Sequence, residues 1–226
     1  MFKKTIFTVL LATLTIFCLI PLLSLTDSAE AGAKPSLETI LDGIEKRYGG
    51  EGFKADFYQE STLKAMDITD TASGNVVVKR PGKMRWEYVE PEKQTIITNG
   101  RDLWVFHPED NQVMVGKSPY FFGDGKGAGF LSDIKMLRNH FKITLEKSMD
   151  AELFRLKLVP LKETVDMAKI YLQISKKTYD ALFIITINAY GDETKIRMTN
   201  YRFNVPIDDD LFKVKIPKGA DIINLE

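Results

Sequence analysis

The feature that most constrains this chain is a long succession of short strand-like runs separated by turn-forming residues. From Phe53 onward, apolar and polar side chains alternate as they do in a strand with one buried face. Pro81-Gly82 and Asn99-Gly100 stand between such runs, and these residue types favour tight turns. We predict about eleven strands in meander order. The first begins at Phe53, and the others cover 73–79, 84–89, 94–98, 103–107, 112–115, 141–146, 153–159, 169–174, 182–189 and 195–203.

The strand pattern predicts a mainly β fold. Many antiparallel strands with few helices favour a strongly curved sheet or a barrel, because closure reduces exposed strand edges. Two amphipathic helices are also predicted, one between Ser36 and Gly49 and a short one after the glycine-rich stretch 123–129. Their apolar faces need a partner, and we expect them at the open mouth of the barrel. These faces carry Leu37, Ile40, Leu41 and Ile44 in the first helix and Phe130, Ile134 and Leu137 in the second.

Residues 1–31 have the pattern of a secretory signal peptide. Lys3 and Lys4 precede a long apolar stretch, and Ala29-Glu30-Ala31 supplies small residues at the expected cleavage site. The stretch is longer than usual for such a signal, so an uncleaved membrane anchor is the alternative. Cleavage removes the only cysteine, Cys18, and leaves residues 32–226 as a single domain. Export without cysteines suits a bacterial periplasm.

Charge and motif content argue against several classes of function. Residues 1–31 contain two basic and two acidic residues out of totals of 31 each, so the exported part stays neutral and has no electrostatic reason to bind nucleic acid. His107 and His140 do not stand at a spacing that suits a metal site or a catalytic triad. The glycine-rich stretch lacks the Ser or Thr that a phosphate loop needs after Lys126, and 208–210 reads as a solvated acidic turn. We therefore expect neither an enzyme nor a cofactor.

Apolar residues occupy both faces of at least one predicted strand. Leu103 and Val105 alternate there with Trp104 and Phe106. A single-layer sheet hides such residues only if helices cover them or a ligand fills the space. Ordinary barrel packing and a ligand cavity are equally good interpretations of this pattern.

Four blocks of sequence, in a fixed order, carry a family resemblance. They are GFKADFYQE at 52–60, the long stretch 76–115, LKLVPLKE at 156–163 and IDDDLFKVKIPKG at 207–219. The most specific part runs from Arg80 to Pro108 and combines Arg-Pro, Trp, Pro, Asn-Gly, Leu-Trp and His-Pro. This series resembles the LolA family of periplasmic carriers of outer-membrane lipoproteins over nearly the whole of the exported chain.

The resemblance implies a fold, a cargo and a route. The fold would be an unclosed antiparallel β-barrel of about eleven strands, with a lid of short α-helices over a hydrophobic cavity for the acyl chains of lipoproteins. The cargo would come from an inner-membrane ATP-driven release complex and pass to an outer-membrane lipoprotein receptor. We expect a monomeric periplasmic chaperone. An exported lipid-binding or lipoprotein-sensing module of the same fold is the alternative.

The resemblance also assigns roles to individual residues. Arg80 is expected to latch the lid by hydrogen bonds to lid backbone, a role that suits the five fixed donors of a guanidinium group. The two apolar helix faces would form the underside of the lid. The residues expected to line the acyl-chain cavity are Met84, Trp86, Tyr88, Ile96, Leu103 and Val105.

Overall fold

The computed structural model describes residues 34–118, 131 and 135–225, and its secondary structure is mainly β. The strands are β1 Gly52–Leu63, β2 Ile68–Lys79, β3 Lys83–Glu90, β4 Gln94–Asn99, β5 Asp102–His107, β6 Gln112–Lys117, β7 Phe141–Glu146, β8 Leu153–Pro160, β9 Lys169–Ser175, β10 Ala181–Ile187, β11 Glu193–Phe203 and β12 Asp221–Asn224. The helices are α1 Leu37–Tyr48, α2 Met136–His140 and a 3-10 helix at Asp209–Phe212.

All of these strands belong to one sheet, in the order β12-β6-β5-β4-β3-β2-β1-β11-β10-β9-β8-β7. Consecutive hairpins connect β1 to β6 and β7 to β11, and pairing of β1 with β11 joins the two meanders. Phe53 faces Phe203 and Phe57 faces Met198 across that junction, so apolar residues meet on both sides of it. The outermost strands, β12 and β7, do not pair with each other, which confirms an unclosed, mainly β fold.

Two features of the sheet differ from the predicted strand pattern. β12 is exposed throughout, and it pairs parallel with β6 after a long return of the chain. β2 begins at Ile68 rather than at residue 73, because the polar run 68–72 pairs with the end of β1. Neither segment alternates apolar with polar residues, and backbone pairing places both of them in the sheet.

Helix α1 forms where the sequence predicts it. The side chain of Ser36 accepts a hydrogen bond from the Thr39 backbone N–H at 3.2 Å and so caps the first turn. The helix ends at Gly49. Ile40, Leu41, Ile44 and Tyr48 are its buried residues. In the described part of the chain, no helix has the length and apolar character needed to cross a membrane.

The core lies between α1 and one face of the sheet, which we call the inner face. Partners in antiparallel strands share a face, so the register places Val76, Trp86, Ile96 and Val105 in one row of it. Val76 and Trp86 join the α1 side chains in a single apolar cluster, and Ile96 packs against it. Each large side chain that is fully buried there contributes about 1.5–3 kcal/mol.

The C-terminal segment, residues 205–225, covers part of the opposite, outer face. Its 3-10 helix packs against β3 and β4, where Phe212 is buried. Arg85 on the outer face donates from Nη1 to the Leu211 carbonyl at 3.2 Å. The acidic turn is exposed as expected, yet Asp209 also pairs with Lys79 at 3.0 Å and with Lys83 at 2.8 Å.

Asp209→Asn should loosen the C-terminal segment. Hydrogen bonds from Lys83 and Lys79 lower the pKa of Asp209 from 3.8 to about 2. Stability from a carboxylate with a lowered pKa is complete above about pH 4 and is lost as pH falls through about 2. We expect faster amide exchange in β12 of the variant at neutral pH, and the same acceleration in the parent protein only in that acidic window.

Asp210→Asn is the matched control, because Asp210 pairs with Lys213 inside the segment. Hydrogen-exchange mass spectrometry measures both variants. Equal protection of β12 in the two would contradict the role given to Asp209.

Candidate functional site

The six residues predicted to line a cavity lie together on the inner face. Met84, Trp86, Leu103 and Val105 are buried, while Tyr88 and Ile96 are partly buried against the same cluster. The register brings them side by side across β3, β4 and β5. Their side chains are apolar except for the indole N–H of Trp86 and the hydroxyl of Tyr88, which donates to Gln59 Oε1 at 3.1 Å. Contact with acyl chains remains a prediction for all six.

Side chains from the two helices cover this face. Ile40, Leu41 and Ile44 of α1 are buried in the apolar cluster, and Leu37 is partly buried against it. Leu137 of α2 is buried in the same cluster. Phe130 and Ile134, the other two residues predicted for the lid underside, lie outside the described residues. We call α1, α2 and Leu131 the cover.

Leu131 belongs to the cover, although it was not among the residues predicted from the sequence. It is fully buried and belongs to the same apolar cluster as the helix residues. Its position directly after Phe130 in an apolar stretch was the available signal. The helical spacing of Phe130, Ile134 and Leu137 defined the predicted face of the second helix, and Leu131 does not fit that spacing.

The Arg80 side chain donates hydrogen bonds to backbone just after α1 and to backbone at Leu131. Its Nη1 donates to the Gly50 carbonyl at 2.8 Å, just after α1, and its Nη2 donates to the Leu131 carbonyl at 3.1 Å. The Arg80 backbone N–H also donates to the Glu51 carbonyl at 2.7 Å. One guanidinium group therefore holds backbone from two separate stretches of chain. The contacts are of the kind expected for a latch, and the latch role itself remains a prediction.

Two glycine turns stand next to Arg80. Gly82 has φ +68° and Gly100 has φ +92°, a backbone region that L side chains rarely adopt. A Cβ at Gly82 would lie 2.9 Å from the Gly100 Cα, so the β2–β3 and β4–β5 turns touch backbone to backbone. This close approach fixes the strand end from which Arg80 extends.

The C-terminal end of α1 is fixed to the sheet by a buried hydroxyl pair. Tyr48 accepts from the Ala181 N–H at 2.9 Å and donates to the Tyr201 hydroxyl at 3.2 Å. Tyr201 in turn donates to the Ala181 carbonyl at 2.7 Å. Burial raises the pKa of Tyr48 to about 12, so the hydroxyl keeps its proton at physiological pH.

Aromatic and ionic contacts surround that hydroxyl pair. The Tyr48 ring meets Phe53 and Phe203 edge to face, with centroids 5.5 and 5.4 Å away. Arg47 pairs with Asp180 at 2.7 Å and stacks over Phe203 at 3.9 Å. The contacts that anchor Tyr48 were not predicted from the sequence. Tyr48 follows the last predicted apolar position of α1 by four residues, and this helical spacing was the available signal.

Comparison with known proteins identifies the family. The model for the outer membrane lipoprotein carrier protein LolA matches residues 49–215. The chain belongs to the LolA family. An outer-membrane lipoprotein carrier protein of Dechloromonas aromatica is 30% identical over 210 residues, which cover 92% of this chain and 93% of that protein. One from Coxiella burnetii is 28% identical over 198 residues, covering 87% of this chain and 89% of that protein.

A solved structure supports the fold of this LolA-family chain. An uncharacterized conserved protein of Thermus thermophilus superimposes with a TM-score of 0.55 at 15% identity. The match covers 84% of this chain and 100% of that one. At such low identity, the likeness concerns the fold alone.

Tyr48→Phe should destabilise the protein by about 1–3 kcal/mol, because the buried Ala181 N–H loses its acceptor. Urea unfolding followed by circular dichroism measures the change. Tyr190→Phe is the matched control, since Tyr190 is 75% exposed. A Tyr48→Phe midpoint equal to that of the control would mean that the hydroxyl does not anchor α1.

Proposed function

We propose that this protein is a periplasmic chaperone that carries lipoproteins by binding their acyl chains at the inner face of the sheet. The observation that carries the proposal is an apolar inner face, covered by helices instead of a second sheet. A helix held by side-chain contacts can move aside without breaking its own backbone hydrogen bonds, whereas a strand paired in a sheet cannot. The carrier names of the relatives support this assignment. The role involves no catalytic step.

The proposed route has two partners. An inner-membrane ATP-driven release complex would supply the lipoprotein, and an outer-membrane lipoprotein receptor would accept it. Residues 1–31 would direct export and be removed, and residues 32–226 would act as a monomeric carrier domain. An exported lipid-binding or lipoprotein-sensing module of the same fold is the second candidate, because an apolar face accepts any acyl chain.

Transfer sets a limit on how tightly the cargo binds. Each methylene moved out of water contributes about 0.8 kcal/mol, so a chain of about sixteen carbons contributes roughly 10 kcal/mol or more. A carrier with all of that affinity would not release its load. In this structure the inner face is already covered by helix side chains. Binding therefore exchanges cover contacts for acyl contacts, and the lost contacts offset part of the gain.

Arg80 adds a polar part to this offset. Its bonds to the Gly50 and Leu131 carbonyls exist while the cover is closed. Moving either carbonyl away breaks a charge-assisted hydrogen bond, of a class that contributes about 1.5–3 kcal/mol. In this proposal Arg80 favours the closed, empty state and so keeps cargo affinity low enough for transfer.

Ile96→Glu should abolish cargo binding and leave the fold intact. Ile96 is partly buried, so a carboxylate there reaches water in the empty protein but would be buried against an acyl chain. Native mass spectrometry of protein drawn from the periplasm should show an acylated polypeptide on the parent and at least about tenfold less on the variant.

Thr144→Glu, an exposed position on β7 opposite Lys157, is the control for added charge. Free lipid on the parent would favour the second candidate function. An empty parent protein would contradict both candidates. If Ile96→Glu loses its cooperative melt, Ile96 belongs to the folding core and not to a binding surface.

Arg80→Leu should bind lipoprotein but pass it on poorly, because the closed state that competes with cargo is weakened. The measurement is the rate at which loaded carrier delivers lipoprotein to outer-membrane vesicles. Arg101→Leu is the control, since Arg101 lies in the neighbouring turn with 82% of its side chain exposed. Normal delivery by Arg80→Leu would rule out the latch.

A further inference from the structure

Arg138 joins the two helices of the cover. It lies on α2, and its guanidinium donates to carboxylates of α1: Nε to Glu45, Nη1 to Glu38 and Nη2 to Asp42 at 2.5 Å. The three acidic residues stand at i, i+4 and i+7 of the helix and so form one row, which we call the acidic stripe. All three nitrogens of one side chain thus engage the same side of α1.

The acidic stripe and Arg138 depend on each other electrostatically. Like charges at i, i+4 repel along a helix, and a shared cation relieves that repulsion. Hydrogen bonds to Glu45 and Glu38 hold the pKa of Arg138 above its ordinary value. Isolated surface ion pairs contribute little, but a guanidinium fork that serves several carboxylates is a stronger arrangement.

The contacts of Arg138 differ in how far they are exposed to solvent. Glu38 and Asp42 are 71% and 73% exposed, whereas Arg138 and Glu45 are about 30% exposed. Salt weakens interactions between exposed charges much more than those between partly buried ones. The contacts to Glu38 and Asp42 are therefore the part that responds to ionic strength.

The two helices differ in how they are held to the sheet. α1 is anchored at its C-terminal end by the buried Tyr48 hydroxyl. α2 spans five residues, a length that is not stable as an isolated helix. Its contacts include the buried Leu137, the His140 carbonyl that accepts from the Leu161 N–H at 2.8 Å, and Arg138. The first two lie near the junction with β7, whereas Arg138 ties α2 to α1.

We propose that Arg138 is a positioning residue that fastens α2 to the acidic stripe independently of Arg80, and that α2 moves relative to a fixed α1 when the inner face is uncovered. Arg80 holds backbone carbonyls at Gly50 and Leu131, whereas Arg138 holds side-chain carboxylates of the stripe. The inference rests on the proposed function for its purpose. The motion itself is measurable without lipid.

Spin labels on the two helices test the proposal. Lys46→Cys on α1 and Asn139→Cys on α2 are exposed positions, and Cys18→Ser in the full chain leaves no other thiol. Double electron-electron resonance should give one short distance at low salt. At about 1 M salt, where the Debye length is about 3 Å, a longer distance should appear.

Arg138→Gln should show the longer distance already at low salt, in a population about tenfold larger than in the parent, with little further salt response. Glu38→Gln combined with Asp42→Asn should keep the short distance at both salt concentrations, because it removes the two exposed carboxylates and leaves the Glu45 contact. Arg80→Leu should keep the salt response of the parent. Identical distances in Arg138→Gln and parent at both salt concentrations would overturn the proposal.

The test remains decisive even if the Arg138 variant is unstable. If Arg138→Gln fails to fold by circular dichroism, a parent whose distance is independent of salt overturns the proposal, and a salt response that Glu38→Gln with Asp42→Asn removes supports it. Lipid is extracted from these samples before labelling, so the distances are measured without cargo. If native mass spectrometry finds no lipid on the parent protein, that result counts against the carrier function. The distances between the helices can still be interpreted.

Discussion

Burial of the inner face beneath α1 is the interaction on which the rest of this structure depends. A single sheet has no second sheet to pack against, so its apolar face must be covered by something else. Ile40 and Ile44 of α1 meet strand residues such as Trp86 and Leu156 in one cluster. At about 1.5–3 kcal/mol for each large side chain, this layer outweighs any single polar contact in the molecule.

The two faces of the sheet are covered in physically different ways. On the outer face, the C-terminal segment packs Phe212 of its 3-10 helix against β3 and β4 and pairs Asp209 with two lysines, and it then adds β12 to the edge of the sheet by backbone pairing. On the inner face, the cover makes apolar side-chain contacts with a few polar bonds at its margins. Backbone pairing is directional and specific to a partner strand. Apolar contact is neither, so in the proposed carrier an acyl chain would substitute for the cover far more readily than for β12.

The periodicity of apolar residues in the sequence predicted the faces of individual strands and the position of α1. Alternation placed Met84, Trp86 and Tyr88 on one face of β3, and helical spacing with a Ser36 cap located α1. β12 escaped prediction because four residues without alternation carry no periodic signal. The contacts of Arg138 and Tyr48 escaped because their partners lie far away in sequence, and single positions do not reveal which distant residue a side chain will meet. The family resemblance supplied the role expected of Arg80, since an arginine at a strand end is ordinary in sequence until the fold brings two carbonyls to it.

A face built only from apolar contact offers little means of choosing among acyl chains, because dispersion and burial depend on area and not on chemical identity. The energy needed to expose that face is the same for every acyl chain, so in the proposed carrier it sets how much apolar area a chain must bury before it binds. In this proposal, the apolar contacts of the cover supply most of that energy, and the fixed end of α1 at Tyr48 and the polar contacts of Arg80 and Arg138 add to it at the margins. Directional bonds at the edge of a non-directional surface would thus adjust access to it, while the surface itself would determine how much free energy an entering chain releases.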